Sequence, residues 1–311
     1  MYGEPLPLEE ALACPSCRAG LTHEVGSYLC PNCGTAFPIL GGIPALFPPE
    51  SAGAGAACQE LYDHIANEYD DAIPSHVAEH YLQRRLGLIG QRALAGSAVL
   101  DVCCGTGRLA SALMERGYRV AGLDASVGML GVFRERQSVG LAVAGQAQHL
   151  PFRSESFEMV LSVAALHHIA TPQIVAAALA EMWRVVRPGG TVLVWDHNPL
   201  NPYWPIIMSR VPQDSGEERL IPLDEVRRGL LAAGASHIEH RRWGFTPDFL
   251  PPTALGAWRL LERLAEATPF LRKVAAHNVV LAVKQKPGSN TVPASAGQDA
   301  HRDTYAPEQQ E

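Results

Sequence analysis

Ala98-Val-Leu-Asp-Val-Cys-Cys-Gly-Thr-Gly-Arg-Leu-Ala110 reads as a short apolar strand ending in Asp101, a turn built on Gly105 and Gly107, and a helix opening at Arg108. A strand, a tight turn and a helix N-terminus in that order let backbone N–H groups come close to a ligand. About twenty residues beyond Gly105 a second apolar run, Tyr118-Arg-Val-Ala-Gly-Leu123, ends in Asp124, and an acidic residue at a second strand tip can bond a ribose diol. The pattern predicts a nucleoside-bearing cofactor.

Gly105-x-Gly107-x-x-Ala110 with Asp124 downstream also fits the dinucleotide fingerprint, a weak signal when it stands by itself. Asp101 argues against a pyrophosphate, because a carboxylate there would repel phosphate but could orient the ammonium of an amino-acid moiety. Cys103 stands where the first turn glycine would be, and three further segments follow: Leu150-Pro-Phe152, Ser156-Phe-Glu-Met-Val160, and Trp183-Arg-Val-Val-Arg-Pro-Gly-Gly190 running into Thr191-Val-Leu-Val194. In this order and spacing the series resembles the class I S-adenosylmethionine-dependent methyltransferases, over roughly residues 60 to 285. The Asp-Val-Cys-Cys-Gly-Thr-Gly form is similar to one seen among the ubiquinone and menaquinone C-methyltransferases.

From residue 97 strands and helices alternate, which implies a parallel sheet covered on both faces. With the resemblance, the expected fold is α/β: a Rossmann-like, seven-stranded class I methyltransferase sheet with a small N-terminal β zinc ribbon, the last strand, His277 to Val283, entering antiparallel between the fifth and sixth. The resemblance implies cofactor contacts at Asp101, Cys103, Gly105 and Gly107 in the first turn, and at Asp124 and Ala125 at the second strand tip. It also sets Met129 against the adenine, and the Gln146-Ala147 pair stands where the family commonly has Asp followed by Ala. Gln146 is a departure that chemistry tolerates, since an amide can accept from the adenine amino group and also donate to a ring nitrogen. Tyr69-Asp70 resembles a pair placed over the methionine end of the cofactor, although Tyr62, Ile65 and Tyr69 at helical spacing read equally as a packed face of a helix over Leu61 to Asp70. The next helix, His76 to Ile89, carries Arg84 and Arg85, expected on a solvated face.

Ser162-Val-Ala-Ala-Leu-His-His168 closes the fourth strand, and ligands in open α/β sheets sit beyond the carboxyl ends of the strands. Ser162 should therefore border the cofactor. His167 and His168 are candidates for proton handling, resembling Leu-His-His forms in the quinone methyltransferases; the competing reading is a structural hydrogen bond at a helix start. Asp196-His-Asn-Pro-Leu-Asn-Pro-Tyr-Trp-Pro205 brings a carboxylate, an imidazole and an amide to the end of the fifth strand, followed by aromatic residues and repeated prolines. His197, oriented by Asp196, could take a proton from an acceptor, or the segment is a rigid lid whose histidine bonds to backbone.

The 311 residues suffice for one large domain and a small one: residues 1–48 as the ribbon, 49–58 as a Pro/Gly/Ala-rich linker, 59–286 as the methyltransferase domain, and 287–311 as a tail too polar to fold alone and so expected to be disordered. A net charge of -7 lacks the footprint of a nucleic-acid binder. No apolar run approaches the roughly eighteen residues of a membrane span, and the acidic N-terminus shows no signal pattern, so a cytoplasmic protein without membrane association is expected. Of seven cysteines, four form Cys14-Pro-Ser-Cys17 and Cys30-Pro-Asn-Cys33, two knuckles twelve residues apart around a hairpin at Gly26-Ser27. Thiolates at this spacing can close a tetrahedral zinc site, and four protein ligands make the metal structural. Two disulfides are the other reading, against which stands the missing signal peptide. The ribbon resembles the small activator subunit that partners several tRNA and protein methyltransferases, which makes it a candidate docking surface for a protein partner.

The leading expectation is transfer of a methyl group from S-adenosylmethionine to a small-molecule acceptor. A tRNA or rRNA base methyltransferase is the alternative within the same chemistry, yet Arg18 is the only Arg or Lys in the first fifty residues. A non-catalytic cofactor-binding scaffold docking a partner through its ribbon is the alternative of another class.

Overall fold

The computed structural model describes residues 7–51, 56–137, 140–169, 171–208 and 218–286. The tail at 287–311 and the middle of the linker lie outside the described residues. Strands β1 (Thr22–Glu24), β2 (Ser27–Leu29), β3 (Ala36–Leu40) and β4 (Ile43–Pro44) form an antiparallel four-stranded sheet in sequence order, with the expected hairpin joining β1 and β2. Helices α1 (Ala56–Ile65) and α2 (Ser75–Gly90) follow. The alternating part then runs β5 (Ala98–Val102), α3 (Arg108–Met114), β6 (Arg119–Asp124), α4 (Val127–Arg136), β7 (Leu141–Ala144), β8 (Phe157–Val163), α5 (Pro172–Val185) and β9 (Val186–His197). It closes with α6 (Trp204–Ile207), α7 (Leu223–Ala232), β10 (Ile238–Trp243), α8 (Leu255–Ala267), α9 (Pro269–Arg272) and β11 (His277–Val283).

The large sheet has the order β10-β11-β9-β8-β5-β6-β7, parallel except for β11, which lies antiparallel between β9 and β10 as expected. All five residues of β5 are buried, as a strand covered on both faces requires. The order reverses between β5 and β8, and at that switch point the carboxyl ends part to leave a crevice.

The helix expected over Leu61 to Asp70 stops at Ile65, and Tyr69–Ala72 forms a separate 3-10 turn. Tertiary contacts outweigh helical propensity here: the Asp70 carboxylate accepts from Thr106 Oγ1 at 3.0 Å and pairs with Arg136. Arg84 is not solvated either; its guanidinium reaches Glu266 at 2.7 Å and Glu262 at 3.0 Å on α8.

The ribbon is joined to the large sheet at its β7 edge, where an unpaired strand would otherwise be a liability. Ala45 bridges Ala144 in parallel, and Leu46 N donates to Ala144 O at 2.8 Å. A second seam runs from Leu12, bridged to Phe152, with Ala13 N bonded to Pro151 O at 2.9 Å and Arg153 N to Ala11 O at 2.8 Å. Leu12, Phe37 and Leu46 are buried in the same core as Val102, Leu123 and Val160. Arg18 closes the joint, donating to Leu150 O at 3.0 Å and to Glu181 Oε2 at 2.7 Å. Among the described residues no helix is long and apolar enough to cross a membrane.

Candidate functional site

A cavity of about 690 Å³ opens at the switch point, lined by the ends of β5, β6 and β8, by α2 and by the turn after β5. That size is within the range of small-molecule sites. The turn is built from left-handed backbone: Cys103 holds φ 60°, Gly105 55° and Gly107 71°. Cys103 adopts at a cost of about 1–2 kcal/mol the conformation that the usual glycine takes freely. Gly107 has no such latitude, because a Cβ there would stand 2.0 Å from Phe133 Cδ2. The turn is clasped to the next strand by Asp124, which accepts from Gly105 N at 2.8 Å and Ser126 N at 3.0 Å, while Ser126 caps α4 through Met129 N.

The electrostatics of this wall are unusual. Asp101 is buried, and removal from water together with the neighbouring Asp124 pushes its carboxyl up to about 7. Asp124 is also raised by burial, against the pull of three backbone donors. Beside them lies Arg85, whose guanidinium packs over the Trp195 ring at 5.6 Å; its shielded Nε has no hydrogen-bond partner, and burial draws its pKa down to about 10. The sequence pattern put Arg85 on a solvated face, and the structure corrects that, because α2 turns this residue into the cavity wall.

Tyr69, Asp101, Cys103, Gly105, Asp124, Ala125, Met129, Gln146 and Ala147 all border this cavity. Gly107 stands behind the wall against Phe133, and Ser162 is buried in β8 with its hydroxyl unpartnered. Thr106, inside the Gly-Thr-Gly turn, borders it too, as do Arg85, Gln59 and the ribbon's Phe47, to which no motif pointed.

At the ends of β8 and β9 a histidine cluster forms. His167 Nδ1 donates to Asp196 Oδ1 at 2.6 Å, and Asp196 also accepts from His167 N at 3.2 Å and His197 N at 2.7 Å. Burial opposes the Asp196 charge, but His167 beside it holds its pKa below the usual carboxylate range. His168 borders the cavity, its ring 4.0 Å from that of His167 and its Nε2 3.1 Å from the Tyr62 hydroxyl. Burial and the neighbouring His167 push His168 down to about 3, which favours its neutral form. His197 is stacked between His167 at 4.2 Å and Trp204 at 3.7 Å, and neither it nor His167 reaches the cavity surface. His167, Asp196 and His197 stand close enough to hold a metal, yet three N–H donors already claim the carboxylate, so the arrangement is a hydrogen-bonded network.

In the ribbon the sulfurs of Cys14, Cys17, Cys30 and Cys33 all lie within 4.8 Å of one another, with Cys14–Cys33 at 3.7 Å and Cys17–Cys30 at 3.4 Å. Four thiolates about 2.3 Å from a zinc ion stand about 3.8 Å apart, so the donor set and spacing fit that metal.

Residues 100–194 match the family described as "Methyltransferase domain". The chain is 35% identical over 158 residues to the demethylmenaquinone methyltransferase of Renibacterium salmoninarum, covering 48% of this chain and 65% of that one. Against the malonyl-[acyl-carrier protein] O-methyltransferase of Serratia marcescens it is 35% identical over 132 residues, covering 42% and 51%. The chain thus spans between half and two thirds of the length of these relatives. Among solved structures a Thermotoga maritima S-adenosylmethionine-dependent methyltransferase superposes with a TM-score of 0.54 at 19% identity, over 73% of this chain and all of that one, a likeness of fold. Residues 100–194 thus match the methyltransferase-domain family model, set in a sheet of the class I S-adenosylmethionine-dependent methyltransferase fold.

Proposed function

We propose that the chain transfers a methyl group from S-adenosylmethionine to a small-molecule acceptor. The observation that carries this reading is the presence of a buried carboxylate, Asp101, and a guanidinium whose buried Nε has no hydrogen-bond partner, Arg85, on one cavity wall. An ammonium opposite Asp101 and a carboxylate opposite Arg85 describe an α-amino-acid tail, which this cofactor has and a dinucleotide lacks. Asp124 is set to accept the ribose hydroxyls, with Met129, Gln146 and Ala147 around the base. When bound, the cofactor supplies a methyl group already activated by its sulfonium. The protein's part is then to hold the acceptor in line and exclude water. His168, neutral and bordering the cavity beside the Tyr62 hydroxyl, is the residue set to hydrogen-bond the acceptor and hold it in line, with His167 and Asp196 packed behind it.

The relatives named for demethylmenaquinone and for malonyl-[acyl-carrier protein] support a small-molecule acceptor. Arg18, the only Arg or Lys of the first fifty residues, is paired with Glu181, which leaves the ribbon without a basic cluster for a phosphate backbone. The four cysteines we read as a structural zinc site, and residues 1–48 as a module that braces the β7 edge of the domain at 59–286. Incubation of the chain with methyl-labelled cofactor and fractionated extract tests the reading: label in a small-molecule fraction supports it, and label found only in RNA overturns it.

A further inference from the structure

We propose that the outer face of α8 and α9 rests on the surface of an anionic lipid bilayer. Helix α8 is built inside out. At 3.6 residues per turn its outward side carries Leu260, Leu261 and Leu264, which are 61%, 55% and 59% exposed, whereas a helix facing water puts its polar side there. The polar residues face inward instead: Glu262 is buried and bonded to His80 at 2.8 Å, and Glu266 is paired with Arg84. The apolar surface continues through Phe270 at 78%, Leu271 at 44% and Val274 at 37%. Scattered exposed leucines need no explanation, but a run of six large apolar side chains over two adjoining helices marks an interaction surface.

Charge selects the occupant. Between residues 255 and 274 the basic side chains are Arg259, Arg263, Arg272 and Lys273, and the only acidic ones are Glu262 and Glu266. Both carboxylates are spent on the inward ion pairs, while the four cations form no ion pair among the described residues. Arg259 turns inward, its Nε donating to His80 Nδ1 at 3.3 Å, which leaves the exposed Arg263 and Lys273, with the half-buried Arg272, around leucine and phenylalanine; in a chain of net charge -7 that is the pattern of a helix lying in the plane of an acidic membrane interface. The face is held firmly: Asn198 Nδ2 donates to Lys273 O at 2.9 Å and Asn201 Nδ2 to Val274 O at 2.6 Å. These anchors lie on the loop after β9, so the face is at the same edge of the sheet as the cavity. The inference does not depend on methyl transfer.

The full chain is to be sedimented with vesicles of phosphatidylcholine alone and of phosphatidylcholine mixed with phosphatidylglycerol. Binding to the acidic vesicles alone, lost by roughly tenfold in Leu260→Ser/Leu264→Ser and weakened in Arg263→Glu/Lys273→Glu, is the expected result. Should the leucine pair fail to fold, Phe270→Ser, at a more exposed position, takes its place. The proposal is overturned if neither vesicle brings the chain down or if the variants bind as the parent does. It is equally overturned if the chain instead forms a dimer that the leucine variant splits, since a second copy would then cover this face.

Discussion

His167 and Asp196 share a 2.6 Å hydrogen bond that fixes the imidazole of one and the charge of the other, directly behind the cavity-facing ring of His168. If His168 holds the acceptor in line, His168→Ala lowers the transfer rate by about a hundredfold while cofactor affinity stays within about twofold. Asp196→Asn releases His167 and costs less, about tenfold, because it acts through its neighbours. Transfer of label into the active fraction, measured beside cofactor binding, checks both.

Asp101 makes cofactor binding depend on pH. Its carboxyl, raised to about 7 in the empty protein, is protonated below that point and then cannot face an ammonium. Affinity should therefore fall about tenfold per pH unit below about 7, and Asp101→Asn should bind weakly without that slope. The same shift has a stability consequence of defined sign. A carboxyl with a folded pKa above its unfolded value loses stability for the fold as pH rises from about 4 to about 7. The Asn variant, measured by thermal melting of the empty protein at about pH 8, should melt higher than the parent.

Arg85 is placed to be separable from folding. Because its buried Nε has no hydrogen-bond partner among the described residues, Arg85→Leu should leave the melting temperature unchanged or raise it. Loss of a charge-assisted hydrogen bond to a carboxylate should weaken cofactor binding by about ten- to a hundredfold. Thermal melting and calorimetry on the same preparation read the two effects.

The fold was legible because its signals are local. Strand β5, the turn at Gly105 and Gly107, and Asp124 at the tip of β6 are written in one continuous stretch with the right period. The four cysteines are legible for the same reason. Arg85 was not, since in a helix with His80, Arg84 and Arg85 the pattern does not say which charge turns inward; that choice is made by Glu262 and Glu266, some 180 residues away, which claim His80 and Arg84. Tyr69 and Asp70 left their expected helix through Thr106 and Arg136, also distant in sequence. The helix at Trp258 to Ala267 is legible, but its orientation is not, because a helix is amphipathic whichever side faces the protein, and only the packing shows the leucines outside.

The ribbon should be coupled to the cavity. Leu46, Ala13 and Arg18 grip residues 144–151, the segment that brings Gln146 and Ala147 to the cavity, and Phe47 borders the cavity itself. Metal analysis should find zinc, and Cys14→Ser should lose it together with several degrees of melting temperature. Cofactor affinity should also fall in that variant, whereas Cys33→Ser, at the exposed corner of the cluster, should lose zinc with a smaller loss of stability.

The central claim is that the cavity is complementary to an adenosyl group bearing an amino-acid tail. Calorimetric titration of the purified chain with S-adenosylhomocysteine and, separately, with a nicotinamide dinucleotide tests it most directly. The expected result is a Kd on the order of micromolar for the first compound, lost on replacing Asp101 or Arg85, and no heat from the second. Binding of the dinucleotide, or binding of S-adenosylhomocysteine indifferent to both substitutions, would contradict it.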